Sequence, residues 1–334
     1  MKILVTGGAG FIGSNFIRYC LKNIHEVKAL VNVDKLTYAG NLDNLKDVEK
    51  DPRYSFVHAD IANEKKMEEV FSKGIDVVFN FAAETHVDRS IDDPAAFITT
   101  DVYGTYVLLE QSRKGNIKKF VQVSTDEVYG SIEKGSFKET DPLMPGNPYS
   151  ASKAGADRLA FSYWATYQMP IVITRASNNF GSNQYPEKYL PLMITNLLED
   201  KDVPIYGDGK NIRDWLYVND HCSGLWFVMK SGIDGQVYNI GGQNERQNID
   251  VAHFIVEYMG KAKSRLKFVK DRLGHDRRYS LDISKIKTLG WSPSNNFEEL
   301  MKQTVDWYIH NPDWWRKIKS GDYLEYYKKQ YEKR

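Results

Sequence analysis

Tyr149 and Lys153 stand four residues apart in Tyr149-Ser150-Ala151-Ser152-Lys153. On a helix that spacing puts both side chains on one face. An ammonium beside a phenol favours the phenolate and lowers its pKa from about 10 toward neutrality. A phenolate can take a proton from a hydroxyl while hydride leaves the same carbon. Such pairs also arise by chance on many helices, so this one needs company. Ser124-Thr125-Asp126-Glu127 supplies it, a hydroxyl followed by two adjacent carboxyls at the end of an apolar run. Adjacent acids can be pushed apart in pKa, one held protonated as an acid and one ionised as a base. A simple dehydrogenase or epimerase has no use for that pair; an enzyme that eliminates water does. The blander reading is a helix start whose carboxylates satisfy backbone N–H groups.

A second cluster begins at Gly7-Gly8-Ala9-Gly10-Phe11-Ile12-Gly13, with an apolar run before it and a helical stretch after it. Gly7 allows a tight turn, Gly10 lets the backbone approach a pyrophosphate, and Gly13 permits close helix–sheet packing. The helix N-terminus then offers free N–H groups and a favourable dipole to an anion. Asp34 follows at roughly the expected 20-residue spacing. A carboxylate there accepts from ribose hydroxyls and repels a 2′-phosphate, which favours NAD over NADP. Lys35 blurs that preference, since a cation tolerates a phosphate.

These residues need a scaffold, and the first half of the chain alternates strand and helix signals. Apolar runs at 3–5, 27–33, 56–57, 77–79, 120–123 and 171–173 predict strands. Stretches at 11–21, 64–71, 95–111 and 152–167 predict helices. The rhythm is that of βαβ units in a parallel sheet buried on both faces. It predicts an α/β fold of Rossmann type, a doubly wound parallel sheet. In open sheets of this kind ligands bind beyond the carboxyl ends of the strands, where Thr125 falls. After residue 178 turn signals multiply and helices are expected at 191–198, 220–231, 250–259 and 297–310. We expect residues 1–177 to form the NAD-binding domain, with some later segments returning to it. Residues 178–334 are expected to form mainly a smaller C-terminal mixed α/β substrate lobe. The end, from Asp313, is rich in Trp, Tyr and Lys and predicts a helix pinned by aromatics.

Composition narrows the class. The 334 residues suggest about two domains or one large α/β unit with an added lobe. Lys+Arg of 45 against Asp+Glu of 44 leaves a charge of +1, which argues against a nucleic-acid partner. With 42% hydrophobic residues there is enough for a sizeable core. Cys20 and Cys222 lack metal-binding spacing, so no metal is expected, and they read as buried thiols of a reducing compartment. No apolar run approaches the roughly 18 residues of a membrane span. A cytoplasmic protein is the expectation.

The glycine run, Asp34, Ser124-Thr125 and the Tyr149/Lys153 pair resemble the extended short-chain dehydrogenase/reductases acting on nucleotide sugars. Longer stretches through most of the chain narrow the resemblance to the dTDP-glucose 4,6-dehydratase family. They are residues 33–41, 82–90, 124–130, 186–188, 211–218 and 271–279. Thr125-Asp126-Glu127 is the specific element, because sugar epimerases of this fold resemble the rest but lack it. The resemblance implies that Tyr149 removes the glucose C4 hydroxyl proton while Thr125 holds that hydroxyl and Lys153 serves the nicotinamide ribose. It implies Glu127 as the base at C5 and Asp126 as the acid at C6. It places tightly bound NAD against Gly7, Gly10, Phe11, Ile12, Gly13, Asp34, Lys35, Leu36, Thr37, Asp60, Ile61, Ala82, Ala83, Thr85, Thr100, Tyr149, Lys153 and Asn179. It places the nucleotide sugar, dTDP-glucose, against Thr85, Thr125, Asn178, Lys188, Tyr189, Pro204, Tyr206, Arg213, Asn248, Asp271, Arg272 and His275. Arg213 suits a diphosphate, which a guanidinium can grip with two hydrogen bonds; its blander reading is a solvated surface charge, the reading preferred for Arg277 and Arg278.

The chain departs from that family at several points. Thr85 stands where Ser is commoner, Asp101 where many members carry Asn, Phe180-Gly181-Ser182 where Tyr-Gly-Pro is usual, and Leu273 where Pro is usual. The charge at Asp101 has no explanation in the sequence, and the loop changes leave thymine against uracil open. A UDP-glucose 4,6-dehydratase, a UDP-sugar 4-epimerase and a non-catalytic NAD-binding regulator are the rival readings. Relatives dimerise through two helices per subunit, here 95–111 and 152–167. A homodimer is therefore expected, and Val107, Leu108, Leu159 and Phe161 fit either a dimer face or a sheet face.

Overall fold

Strands form where short β-branched and aromatic runs can bury side chains on both faces of a sheet. The computed structural model describes residues 1–271 and 275–320. In chain order the first strands are β1 (Lys2–Thr6), β2 (Ala29–Asp34), β3 (Tyr54–His58), β4 (Val77–Asn80), β5 (Lys119–Thr125) and β6 (Ile171–Ala176). The next are β7 (Asn178–Phe180), β8 (Val203–Tyr206), β9 (Ile212–Tyr217), β10 (Val237–Ile240), β11 (Glu245–Gln247) and β12 (Leu266–Val269). Seven of them make one parallel sheet in the order β10-β6-β5-β4-β1-β2-β3. Alternation along each strand feeds two cores. Ile3 and Val5 pack on one face and Leu4 on the other; Val121 and Val123 oppose Phe120, and Val172 opposes Ile171 and Ile173. Each such side chain contributes about 1.5–3 kcal/mol on full burial.

Strand order reverses between β1 and β4, so their carboxyl ends leave a crevice between them. The glycine turn fills the lip of that crevice. Gly7 has φ +68°, and a Cβ there would lie 2.8 Å from the Ala82 backbone just beyond β4. The second lobe holds the sheet β11-β9-β7 and the pair β12-β8. Its core gathers Phe180, Leu190, Met193, Trp215, Ile255, Met301 and Trp315.

Three features differ from the sequence reading. Val237–Ile240 is a strand that joins the sheet edge beside β6, although its short run passes in the sequence as part of a turn-rich region. The stretch expected as one helix over 95–111 divides into a short helix Pro94–Phe97, a π-helical segment Ile98–Gly104 and a helix Thr105–Gly115. The wider π turn accommodates an extra residue and carries Thr100 and Asp101 into the interior. The helix bearing Tyr149 begins earlier than expected, at Pro148, and runs to Tyr167. A capping box fixes its start: Asn147 Oδ1 accepts from Ser150 N at 2.9 Å and Ser150 Oγ accepts from Asn147 N at 3.2 Å.

Val107 and Leu108 are buried against the sheet, so they are not dimer-facing. Ile98, Tyr103, Tyr106 and Tyr167 are the exposed apolar residues of these helices. At the C-terminal end the helix Pro312–Ile318 carries the expected aromatic anchors; residues 321–334 lie outside the described residues. Among the described residues no helix is long and apolar enough to cross a membrane.

Candidate active site

Two adjoining cavities lie beyond the carboxyl ends of β1, β4 and β5, and they share Thr85, Tyr149, Gln184 and Lys188 as walls. The first is lined by Gly7, Gly10, Phe11, Ile12, Gly13, Asp34, Lys35, Thr37, Asp60, Ile61, Ala82, Ala83, Thr100 and Lys153. Of the residues expected around the cofactor, only Leu36 and Asn179 are not among its walls. Leu36 instead shapes the loop: its N–H donates to Asp34 Oδ1 at 2.8 Å, and its φ is +55°. Asn179 lines the second cavity, with Nδ2 donating to Ser177 O and Oδ1 facing His221 Nδ1 at 2.9 Å.

The first cavity fits a dinucleotide. A Cβ on Gly13 would meet Gly7 O at 2.3 Å, whereas one on Gly10 meets only Gly7 O at 3.3 Å. Gly13 therefore packs the helix Phe11–Asn23 onto the turn, while Gly10 keeps the approach open. Gly10 also caps that helix without a side chain, which leaves the first-turn N–H groups for an anion. Asp34 is buried at the end of β2. Burial raises its pKa, opposed by the N–H groups of Leu36 and Ala9. Lys35 is drawn to Asp60 at 2.8 Å, so its cation is already engaged.

The reacting groups meet where the cavities join. Thr125 ends β5 and caps the turn Asp126–Tyr129, its Oγ1 accepting from Glu127 N at 3.3 Å and donating to Asp126 Oδ1 at 3.2 Å. Glu127 lines the second cavity beside Tyr149, and the Thr125 hydroxyl also hydrogen-bonds the Tyr149 phenol. Asp126 is buried and its Oδ2 has no hydrogen-bond partner among the described residues. Burial first, then the charges of Glu127 and Asp214, push its pKa well up, which favours the protonated form of this carboxyl. Asp214 is buried too, which raises its own pKa, opposed by the N–H groups of Asn244 at 2.7 Å and Gly242 at 2.9 Å.

The expected depression of the Tyr149 phenol is not what the chain alone produces. Burial and the charges of Glu127, Asp101 and Asp126 raise it well above 10. Lys153 points past the phenol, donating to Val123 O at 2.9 Å, and its own pKa is lowered by burial. The physical reason is burial of the phenol first and nearby carboxylates second, with the ammonium engaged by the Val123 carbonyl.

The second cavity holds Thr85, Asn178, Lys188, Tyr189, Pro204, Tyr206, Arg213, Asn248 and His275. Buried polar atoms there lack partners among the described residues, namely Asn178 Oδ1, Asn248 Oδ1 and Trp215 Nε1, as suits a polar ligand's site. Lys188 Nζ donates to Thr85 Oγ1 at 3.1 Å, and Tyr189 OH to Asn248 O at 2.7 Å. Arg213 is no solvated surface charge. It is buried over the Tyr279 ring at 4.3 Å, with its guanidinium donating to Ile212 O and Asp276 O. Arg277 is a surface charge, paired with Asp208; Arg278 is largely covered and bridges Glu245 and Gly135 O. His275 Nδ1 meets Asp271 Oδ1 at 2.6 Å, which keeps Asp271 one step behind the wall. Arg272 and Leu273 lie outside the described residues. His86, Asp88, Gln184, Glu187 and Trp215 also line this cavity, and sequence reasoning did not single them out as site residues. All but Gln184 sit in or next to stretches that carry the resemblance yet have no local chemical signature. Gln184 lay in a segment that reads only as a turn.

Residues 4–304 match the model of the GDP-mannose 4,6 dehydratase family. The chain belongs to that family. Within it, the chain is 50% identical to a dTDP-glucose 4,6-dehydratase of Actinoplanes sp. over 320 residues, covering 94% of this chain and all of the relative. It is 47% identical to the low-salt glycan biosynthesis protein Agl12 of Haloferax volcanii, covering 92% and 99%. Among solved structures, the dTDP-glucose 4,6-dehydratase DesIV of Streptomyces venezuelae, crystallised with NAD bound, superposes with a TM-score of 0.93. That pair shares 45% identity and covers 95% of this chain and 100% of DesIV. A UDP-glucose 4-epimerase of Thermotoga maritima superposes at 0.87 with 31% identity, covering 93% and 100%. Family membership thus carries the parallel sheet and the paired cavities, and the dehydratase relatives match in sequence more closely than this epimerase.

Proposed function

We propose that this chain dehydrates dTDP-glucose to dTDP-4-keto-6-deoxyglucose, a step toward deoxysugars such as rhamnose. One observation carries the reading: Asp126, a buried carboxyl with a raised pKa next to Glu127, is joined through the Thr125 hydroxyl at the end of β5 to the Tyr149 phenol. An epimerase needs the phenol alone; elimination of water needs an acid and a base as well.

Each residue's part follows from its place. Thr125 orients the C4 hydroxyl and Tyr149 accepts its proton. NAD, when bound in the first cavity, supplies the acceptor and later donor of hydride and brings a positive charge beside the raised phenol. The C4 ketone acidifies the C5 hydrogen, which Glu127 removes. Asp126 gives its proton to the C6 hydroxyl, and water leaves. Protonation of C5 after C6 is reduced completes the cycle with the cofactor in its starting state. Lys153 contributes its charge and the nicotinamide-ribose contact. Arg213 and Lys188 grip the diphosphate. Buried walls keep water from the unsaturated ketone.

Incubation with dTDP-glucose followed by alkali tests this through the absorbance of a 4-keto-6-deoxy sugar. A 4-epimer as the only product overturns it. Mass spectrometry of products from dTDP-glucose and UDP-glucose decides between thymine and uracil.

The exposed Ile98, Tyr103, Tyr106 and Tyr167 support a homodimer formed through these helices. Light scattering giving the mass of one chain would overturn it. Cys20 and Cys222 are free, buried thiols, which supports a cytoplasmic location.

A further inference from the structure

Asn44 is buried, and its side chain joins stretches far apart in sequence. Its Nδ2 donates at 2.8 Å to the Ala9 carbonyl inside the glycine turn. The same carbonyl accepts from Asn41 N at 2.9 Å. Asn44 Oδ1 accepts from Trp314 Nε1 at 2.8 Å and from Asn183 Nδ2 at 3.3 Å. The Asn44 carbonyl accepts from Arg18 at 2.6 Å. An amide engaged at both ends is a cross-brace, because leaving its buried polar atoms bare is costly.

The stretches around Ala9, Asn41 and Asn183 border the first cavity. Gly7 and Gly10 flank Ala9, Gly40 precedes Asn41, and Gln184 and Tyr185 follow Asn183; each of these neighbours is part of the wall. The helix Pro312–Ile318 braces them from outside. Lys317 pairs with Asp43 at 2.7 Å. Trp314 packs edge-on against Trp307 and Tyr308, and Tyr308 OH donates to Gln184 O at 2.6 Å. Neither Asn44 nor Trp314 lines the cavity itself.

We propose that Asn44 and Trp314 are positioning residues that latch the cavity walls together and set how slowly NAD leaves the protein. The inference rests on the first cavity being the NAD site. The wall segments around Gly40 and Gln184 separate only if hydrogen bonds at Asn44 break. A dinucleotide threaded between them is therefore retained from one turnover to the next. The C-terminal helix acts on the cofactor from 270 residues away in sequence.

The test uses the holoenzyme with Trp314→Phe, which keeps most ring packing and loses the N–H donor, and Asn44→Asp, which loses the donor to Ala9. The rate of NAD release is read by dilution of labelled NAD, together with NAD content after gel filtration. Release should accelerate roughly tenfold in each variant. The double variant should release NAD no faster than the product of the two effects and by less than full additivity. With excess NAD present, the KM for the nucleotide sugar and kcat of Trp314→Phe should match the wild type. Release rates within about twofold of the wild type in the folded variants overturn the latch. Trp314→Phe alone decides the matter if Asn44→Asp does not fold. A wild-type protein that takes up no NAD overturns the reading of the cavity, a result distinct from equal release by wild type and variants.

Discussion

Asp101 and Ser152 share a 2.6 Å hydrogen bond in the interior, on the far side of the helix turn that presents Tyr149 and Lys153. The Ser152 hydroxyl also reaches Tyr149 O at 2.8 Å, and Asp101 Oδ1 accepts from Glu84 N at 2.9 Å. The π-helical segment thereby fastens to the start of the catalytic helix. The residue that is an unexplained departure in the sequence occupies a structural junction. Lys153, Glu84 and Tyr149 are the titratable groups that face it.

Asp101→Asn should stabilise the protein at neutral pH. Burial raises the Asp101 pKa from 3.8 to about 6. The folded state therefore holds this proton more tightly than the unfolded state. Stability is greatest below about 3.8 and falls as pH rises toward about 6, a loss of about 3 kcal/mol at neutral pH. Asn preserves the hydrogen bonds, with Nδ2 donating to Ser152 Oγ. Denaturant melts at pH 5 and pH 8 should show the variant's advantage growing with pH; an equal difference at both would refute it.

Asp126→Asn should separate oxidation from elimination. The amide keeps the shape but has no acidic proton for the C6 hydroxyl, so turnover should fall roughly 100- to 10,000-fold. Reduced nicotinamide absorbance should build up on mixing with substrate. The raised Asp126 pKa also means that the neutral amide imposes no new burial cost, so Tm should not fall. Equal loss of both steps would deny Asp126 its separate role.

Gly13→Ala should abolish cofactor uptake. The added Cβ would sit 2.3 Å from Gly7 O and 2.8 Å from Gly8 Cα, both backbone atoms with little room to yield. Overpacking of this kind costs about 1–3 kcal/mol. Calorimetric titration with NAD is the measurement, and unaltered affinity would contradict the packing argument.

Arg175→Met should destabilise the chain by about 3–5 kcal/mol. Arg175 is buried and bidentate to Asp157 at 2.8 and 3.1 Å, and it donates to Tyr129 OH at 2.8 Å. Asp157 lies on the Tyr149 helix and Tyr129 closes the Asp126 turn, so the pair registers the two halves of the reacting set. Replacing both partners, as Arg175→Met with Asp157→Leu, should recover much of the stability in urea unfolding. Recovered stability without recovered turnover would mark the pair as positioning; full recovery of both would make it merely structural.

Features written within one element were legible early. The glycine spacing, Asp34 at a strand end, the Thr125–Glu127 run and the four-residue Tyr149/Lys153 interval each depend on local geometry, which a few neighbouring residues dictate. The π turn at Ile98–Gly104 was not legible, because its residue pattern is that of an ordinary helix. Val237–Ile240 is too short to declare itself without β6 beside it.

By its residue types and spacing alone, the sequence determined a parallel α/β scaffold, a dinucleotide turn and an acid–base set suited to elimination. Only the tertiary structure decided the protonation and the company of those groups. The Asp126 pKa is pushed up by burial, by neighbouring Glu127 and by Asp214, which lies 88 positions onward. Tyr149 is raised rather than lowered because packing buries it and brings the Glu127 and Asp101 carboxylates to it. Gln184 and Trp314 reach the cofactor walls from distant loops and helices. Desolvation and charge act through space, and distances through space are set by packing the whole chain.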